Sequence, residues 1–156
     1  MDINLNYDTL YGKVERSLSI IGKRSKDDDG NLLFKDITLG SREKEIINDY
    51  FRQAVIDLTT ELETFVTAGS TSGVTFALDM PTNHNSALNP FVVQSCEEYC
   101  VSYALYSWFV ITAPHISEKY LGDCRRQLSA VIRMTGAKTA PAETGDILST
   151  STSVSS

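Results

Sequence analysis

The chain has 156 residues, of which 42% are hydrophobic and 22% charged, with a formal net charge of −6 and a pI near 4.8. That length suits one domain with a real core plus arms, and the acidic balance argues against a dedicated nucleic-acid binder that grips phosphates through a basic surface. Three cysteines cannot all pair within one chain, which points to a reducing compartment.

The opening Met1-Asp2-Ile3-Asn4 lacks the basic and apolar regions of a secretory signal. No uninterrupted apolar run reaches the roughly 18 residues that a membrane span needs, so a soluble, intracellular protein without membrane contact is expected. From about Asn6 to Ile21, the residues Tyr7, Leu10, Tyr11, Val14, Leu18 and Ile21 recur at three- and four-residue spacing, which predicts a helix ending at Gly22. The charged stretch Lys23 to Asn31 contains an Asp-Gly turn signal and leads into Leu32-Leu33-Phe34-Lys35-Asp36-Ile37, read as a loop or short hairpin. Ser41 offers a helix cap, and Ile47, Phe51, Ala54, Leu58, Leu62 and Phe65 mark one face of a long helix running to about Val66, with Gly69 beyond. Ile56 alone projects among the polar residues of that helix.

Ser70-Thr71-Ser72-Gly73 reads as a linker. Val74, Phe76, Leu78 and Met80 then alternate with Thr75, Ala77 and Asp79, which predicts a strand ended by Pro81. After a polar loop from Thr82 to Leu88, a helical hairpin runs from Asn89 to Gly136 and folds back at Ala113-Pro114-His115. Asn89 is placed to cap its first helix and Pro90 to occupy the first helical position. Val93, Cys96, Cys100, Tyr103 and Ala104 share one face of that helix, while Gln94, Glu98 and Ser102 share the opposite, outward face. Past Ser102 the helix turns apolar all round, through Leu105, Trp108, Phe109, Val110 and Ile111, and such a surface must be buried centrally or covered by a partner. The last helix, about Ile116 to Met134, aligns Ile116, Tyr120, Cys124, Leu128 and Val131, with Arg125, Arg126 and Arg133 on its other face, where charge near a helix C-terminus favours the dipole. Residues 137–156 form a Ser/Thr-rich arm in which only Ile147, Leu148 and Val154 are able to pack, and such a segment alone is expected to be disordered.

No catalytic motif emerges, and no cofactor is expected. Ser25 to Gly30 with Asp36 is a partial match to a calcium loop, but a serine replaces the first carboxylate and the closing glutamate is missing; a solvated turn is the plainer reading. Cys96, Cys100, Cys124 and His115 lack the short knuckle spacing of structural zinc sites and read as buried thiols. His84 and His115 have no evident orienting partner for nucleophilic catalysis with a cysteine. A helix-turn-helix reading fails on the apolar first helix and the net charge.

The order of elements resembles the head–tail connector or adaptor proteins of tailed bacteriophages. The likeness lies in Tyr50-Phe51-Arg52-Gln53-Ala54-Val55-Ile56-Asp57-Leu58, and in Tyr99 to Val110 with Arg125-Arg126, and extends as a pattern over most of Ser41 to Gly136. The opening segment with Ile21-Gly22-Lys23-Arg24 and its acidic turn has no counterpart in the smaller connectors. The elements in order predict a mainly α fold, a small bundle of about four helices with a short β excursion and an extended C-terminal arm; the resemblance adds the role. It implies a non-enzymatic virion subunit that assembles with itself as a ring, usually a dodecamer, beneath the portal and beside tail proteins, with DNA passing through without sequence-specific binding. Ile56, Leu105, Trp108, Phe109, Arg125, Arg126, Arg133, Ile147 and Leu148 are the expected interface residues, the arm ordering along a neighbour or the portal. Another tail-completion or assembly protein is the nearest alternative, and a small intracellular enzyme the next.

Overall fold

A computed structural model describes residues 1–24, 39–69 and 74–139. Four helices, α1 (Tyr7–Arg24), α2 (Ser41–Glu61), α3 (Asn89–Thr112) and α4 (Pro114–Thr135), are joined by three short strands, β1 (Asp2–Asn4), β2 (Val66–Gly69) and β3 (Thr75–Leu78). The fold is mainly helical, as the pattern of elements predicts, and the β excursion is a small antiparallel sheet of order β1-β3-β2. The expected loop or hairpin after Lys23, the partial calcium loop and the linker from Ser70 to Gly73 fall wholly or mainly outside the described residues, as do Ile147 and Leu148.

Helix α3 is the axis. Its 24 residues span about 36 Å at 1.5 Å per residue, and it packs against α1, α2 and α4. Fully burying a large apolar side chain contributes roughly 1.5–3 kcal/mol, and Val92, Cys96, Cys100 and Ala104 of α3 are completely buried, together with Phe51, Leu58, Leu10 and Val14 from its neighbours. Helix α1 runs alongside α3 in the same direction: the Lys13 ammonium donates to Glu97 at 2.9 Å and Glu98 at 2.8 Å, and further along both helices Ile20 lines one cleft with Val101 and Leu105. Burial pulls that ammonium's pKa down, yet the bonds to Glu98 and Glu97 outweigh it and the pKa is raised. Helix α2 runs the opposite way. Tyr7 and Tyr11 meet Phe51 with ring centroids 6.3 and 5.3 Å apart, and Tyr11 donates to the Lys44 carbonyl.

The sheet closes one pole of the bundle. Ile3, Phe76 and Leu78 are buried beneath it, Ile3 faces Phe76 across β1 and β3, and Leu5 N–H bonds the Val74 carbonyl. At the same pole the chain leaving α4 is tied back to the loop ahead of α3. Asn85 N–H donates to Ala137 O at 3.0 Å, Thr139 N–H donates to Asn83 O at 2.7 Å, and His84 bridges Lys138. The opposite pole is the Ala113 turn between α3 and α4.

Several boundaries differ from the sequence reading. Helix α1 passes through Gly22 to Arg24, since a glycine weakens a helix by about 1 kcal/mol without having to end it. Helix α2 stops at Glu61, not Val66, because Val66–Gly69 pairs with β3 as a strand across a bulge; Leu62 stays buried but in the turn. Ser41 is the first helical residue and Gly40 the cap, with no side-chain capping bond. Asn89 likewise lies inside α3, where its side-chain oxygen is 2.8 Å from His84 Nε2; Asn85 instead caps the short 3-10 turn Ser86–Leu88. Ser102 does not face outward, and Glu98 does so only in part, its side chain being 39% exposed. Glu98 pairs with Lys13 of α1 and Ser102 is buried, because α1 covers the face that the helical projection left to solvent.

Candidate functional site

Tyr99, Cys100 and Cys124 lie at the heart of the α2, α3 and α4 junction. The Tyr99 hydroxyl donates to Asp57 of α2, and burial together with that bond raises the tyrosine's pKa. Burial, helped by Glu97, pushes the Cys96 thiol up to about 12, and burial with Asp123 and Asp57 does the same to Cys124; Cys100 is also raised well above the ordinary thiol range. All three cysteines are free and buried. Reactive cysteines show the opposite behaviour, a lowered pKa with partial exposure, so these behave as packing residues. Among the described residues no group of three His, Cys, Asp or Glu side chains is placed to hold a metal ion. His84 Nε2 is engaged by Asn89, and His115 sits exposed in the first turn of α4.

Helix α4 packs chiefly on α3, which leaves a groove on each of its flanks. The α2 side holds a groove of about 140 Å³ lined by Tyr99, Tyr103, Tyr106, Leu128, Asp57 and Arg125. On the α1 side, a cleft of about 280 Å³ lies between Ile20, Val101, Leu105 and Tyr120.

The expected interface residues separate into three groups. Leu105 and Phe109 are corrected: they are 2% and 5% exposed, Phe109 stacking on Tyr120 at 5.6 Å, because the hairpin closes on them, and they offer no surface to a partner. Trp108 is half-buried against the core, while Ile56 of α2 is exposed. Arg125, Arg126 and Arg133 are exposed on α4, with Arg126 held by Asp123 at 2.7 Å and Arg125 bordering the α2 groove.

The apolar surplus lies one turn further along. Val110 is 44% and Ile111 76% exposed at the end of α3. Cys96, Cys100 and Ala104 form a fully buried stripe, and Trp108 and Ile111 continue it at four- and three-residue spacing, half-buried and exposed in turn. The hairpin therefore overhangs the bundle. Its tip carries no charge, since Val101 to Ser117 contains no Asp, Glu, Lys or Arg. An exposed apolar patch of this kind marks an interaction site more often than chance. That uncharged run was the available sequence signal for Val110 and Ile111. Compared with known protein families, with curated proteins and with solved structures, the chain matches none.

Proposed function

We propose that this chain is a structural subunit of a phage-type head–tail junction, a connector or adaptor that forms a ring under the portal and extends the DNA channel. The observation that carries this reading is the overhanging, uncharged tip of the α3–α4 hairpin, with Val110 and Ile111 exposed, on a chain of net charge −6. Acidic copies repel one another, and an uncharged apolar tip gives them a contact without like-charge cost. A closed ring needs two different surfaces on each subunit. The tip is one, and Ile56 of α2 or the arginine-bearing face of α4 is the other. The net negative charge suits a channel through which DNA slides, because it repels phosphate rather than gripping it. A tail-completion protein would use the same surface and differ in its partner.

The test is assembly. The purified chain mixed with the portal of its own virion should give a ring of defined mass docked on the portal, visible by electron microscopy and weighed by native mass spectrometry. Ile111→Asp should abolish that ring while the thermal unfolding curve stays in place. A chain that remains monomeric and ignores the portal would sink the proposal.

A further inference from the structure

We propose that the outward face of α4 docks, head to tail, on the acidic end of α2 in a neighbouring copy of this chain. Charge is sorted along the sequence in a way that the ion pairs within the subunit leave unused. From Gln53 to Glu118 there is no Lys or Arg, whereas the stretch that follows holds Lys119, Arg125, Arg126, Arg133 and Lys138 against the single acid Asp123. Asp57 accepts from Tyr99, and Glu97 and Glu98 hold Lys13, so those acids are satisfied inside the subunit. Glu61, Glu63 and Asp79 are exposed and pair with no cation among the described residues. They gather where α2 ends, since Asp79 N–H bonds the carbonyl of Phe65, just beyond Glu63. The last turn of α2 carries no basic residue. These carboxylates therefore add to the negative end of the helix dipole, which is unfavourable within the subunit and is relieved by cations from outside it.

Helix α4 presents such cations. Gly122, Arg126, Ser129 and Arg133 are all exposed and follow one another at three- and four-residue spacing, which sets them on one strip of the helix. Lys119 and Arg125 flank that strip. Gly122 and Ser129 keep its centre free of long side chains, and a Cβ at Gly122 would meet nothing within 4 Å. Lys119, Arg125 and Arg133 pair with no carboxylate among the described residues, and Arg126 is held by Asp123. Copies of a chain of net charge −6 repel one another, so charge favours a contact between them only where opposite signs meet. A two-fold pairing centred on either face would set base on base or acid on acid. A head-to-tail pairing sets α4 of one copy on α2 of the next, the heterologous contact that closes a ring. The inference rests on the ring reading above and divides its surfaces: the arginines of α4 belong with the hairpin tip, and Ile56, one turn before Thr60 and Glu61, belongs to the acidic side.

Disulfide trapping between single added cysteines tests this. Thr60→Cys puts a thiol at the acidic end of α2 and Ser129→Cys puts one on the basic strip, both at exposed positions, while the native thiols are buried. Mixed in equal amounts under mild oxidation, with and without the portal, the two variants should join to each other roughly ten times faster than either joins to itself, because docking raises the local thiol concentration. Arg126→Glu with Arg133→Glu in the Ser129→Cys chain should remove that preference, and Glu61→Lys with Glu63→Lys in the Thr60→Cys chain should restore it. Like chains joining as fast as unlike ones, or a preference untouched by charge reversal, overturns the proposal. So does binding of a DNA duplex that Arg126→Glu with Arg133→Glu abolishes, which would give the strip to phosphate. The connector reading is scored separately: a ring of unchanged mass built on the portal by the charge-reversed chain sinks only this contact, and a charge-dependent preference without any ring sinks only the connector role.

Discussion

Phe109→Ala should destabilise the protein by about 3–5 kcal/mol, the usual range for removing a buried aromatic side chain. The phenyl ring is almost wholly buried and lies nearly parallel to the Tyr120 ring, at a 14° interplanar angle. Such a pair adds about 0.5–1.5 kcal/mol beyond the area that it buries, and this one clamps α3 to α4 just before the turn. Loss of that clamp frees the end of the hairpin, so the effect should exceed that of a cavity that neighbours can fill by relaxing. Trp108 is the chain's single tryptophan and lies next to Phe109, so its fluorescence should follow urea unfolding, with the midpoint falling and the slope unchanged. Two residues on, Ile111→Asp should leave the midpoint within about 0.5 kcal/mol, as expected for an exposed site. A loss of under 1 kcal/mol for Phe109→Ala would mean that the hairpin is not closed by this pair. The contrast separates residues that hold the subunit together from residues that are free to meet another.

The same two positions show where sequence reasoning reached its limit. In an apolar helix segment, periodicity says that some cover is needed but not from which side. Here the cover depends on the lengths and directions of other helices. Helix α1 runs parallel to α3 and reaches Leu105, and α4 folds back over Phe109, while neither α1 nor α2 covers Ile111. The four helices themselves were readable, because Leu10, Val14 and Leu18, or Ile47, Phe51, Ala54 and Leu58, repeat at helical spacing over about two to three turns. The sheet was not. β1 and β2 are three and four residues long, too short for alternation to register, and the contact that makes Ile3 a core residue is with Phe76, far along the chain. Val66 was read as the end of α2 for the same reason, since a four-residue strand offers too little alternation to set against the helical spacing that precedes it. The outward reading of Glu98 held only in part because the projection of one helix cannot show Lys13 arriving from another.

Alkaline pH should unfold this protein well before its tyrosines alone would require. Cys96 and Cys124 have folded-state pKa values pushed up to about 12 by burial, whereas an exposed thiol in the unfolded chain ionises near 8.5–9. The native state therefore holds protons that the unfolded state releases. The stability linked to each thiol is fully present below about pH 8.5 and is lost as pH rises toward 12. Each pH unit within that window removes up to about 1.4 kcal/mol per thiol, so two thiols account for several kcal/mol, a large part of the roughly 5–15 kcal/mol that holds a domain of this kind together. Cys100 adds to the slope in the same direction, as does Tyr99 above about pH 10, its hydroxyl being kept protonated by burial and by the bond to Asp57. Urea midpoints measured at about pH 7.5, below this window, and at about pH 9 and 10.5, within it, should fall steeply over the last interval. Cys96→Ala should lower stability modestly at neutral pH through lost packing, yet flatten the alkaline slope, and Cys96→Ala with Cys124→Ala should flatten it further. A slope that is unchanged in the double variant would show that the buried thiols are not what ties this bundle to its pH range, and would move the cause to the tyrosines lining the α2 groove.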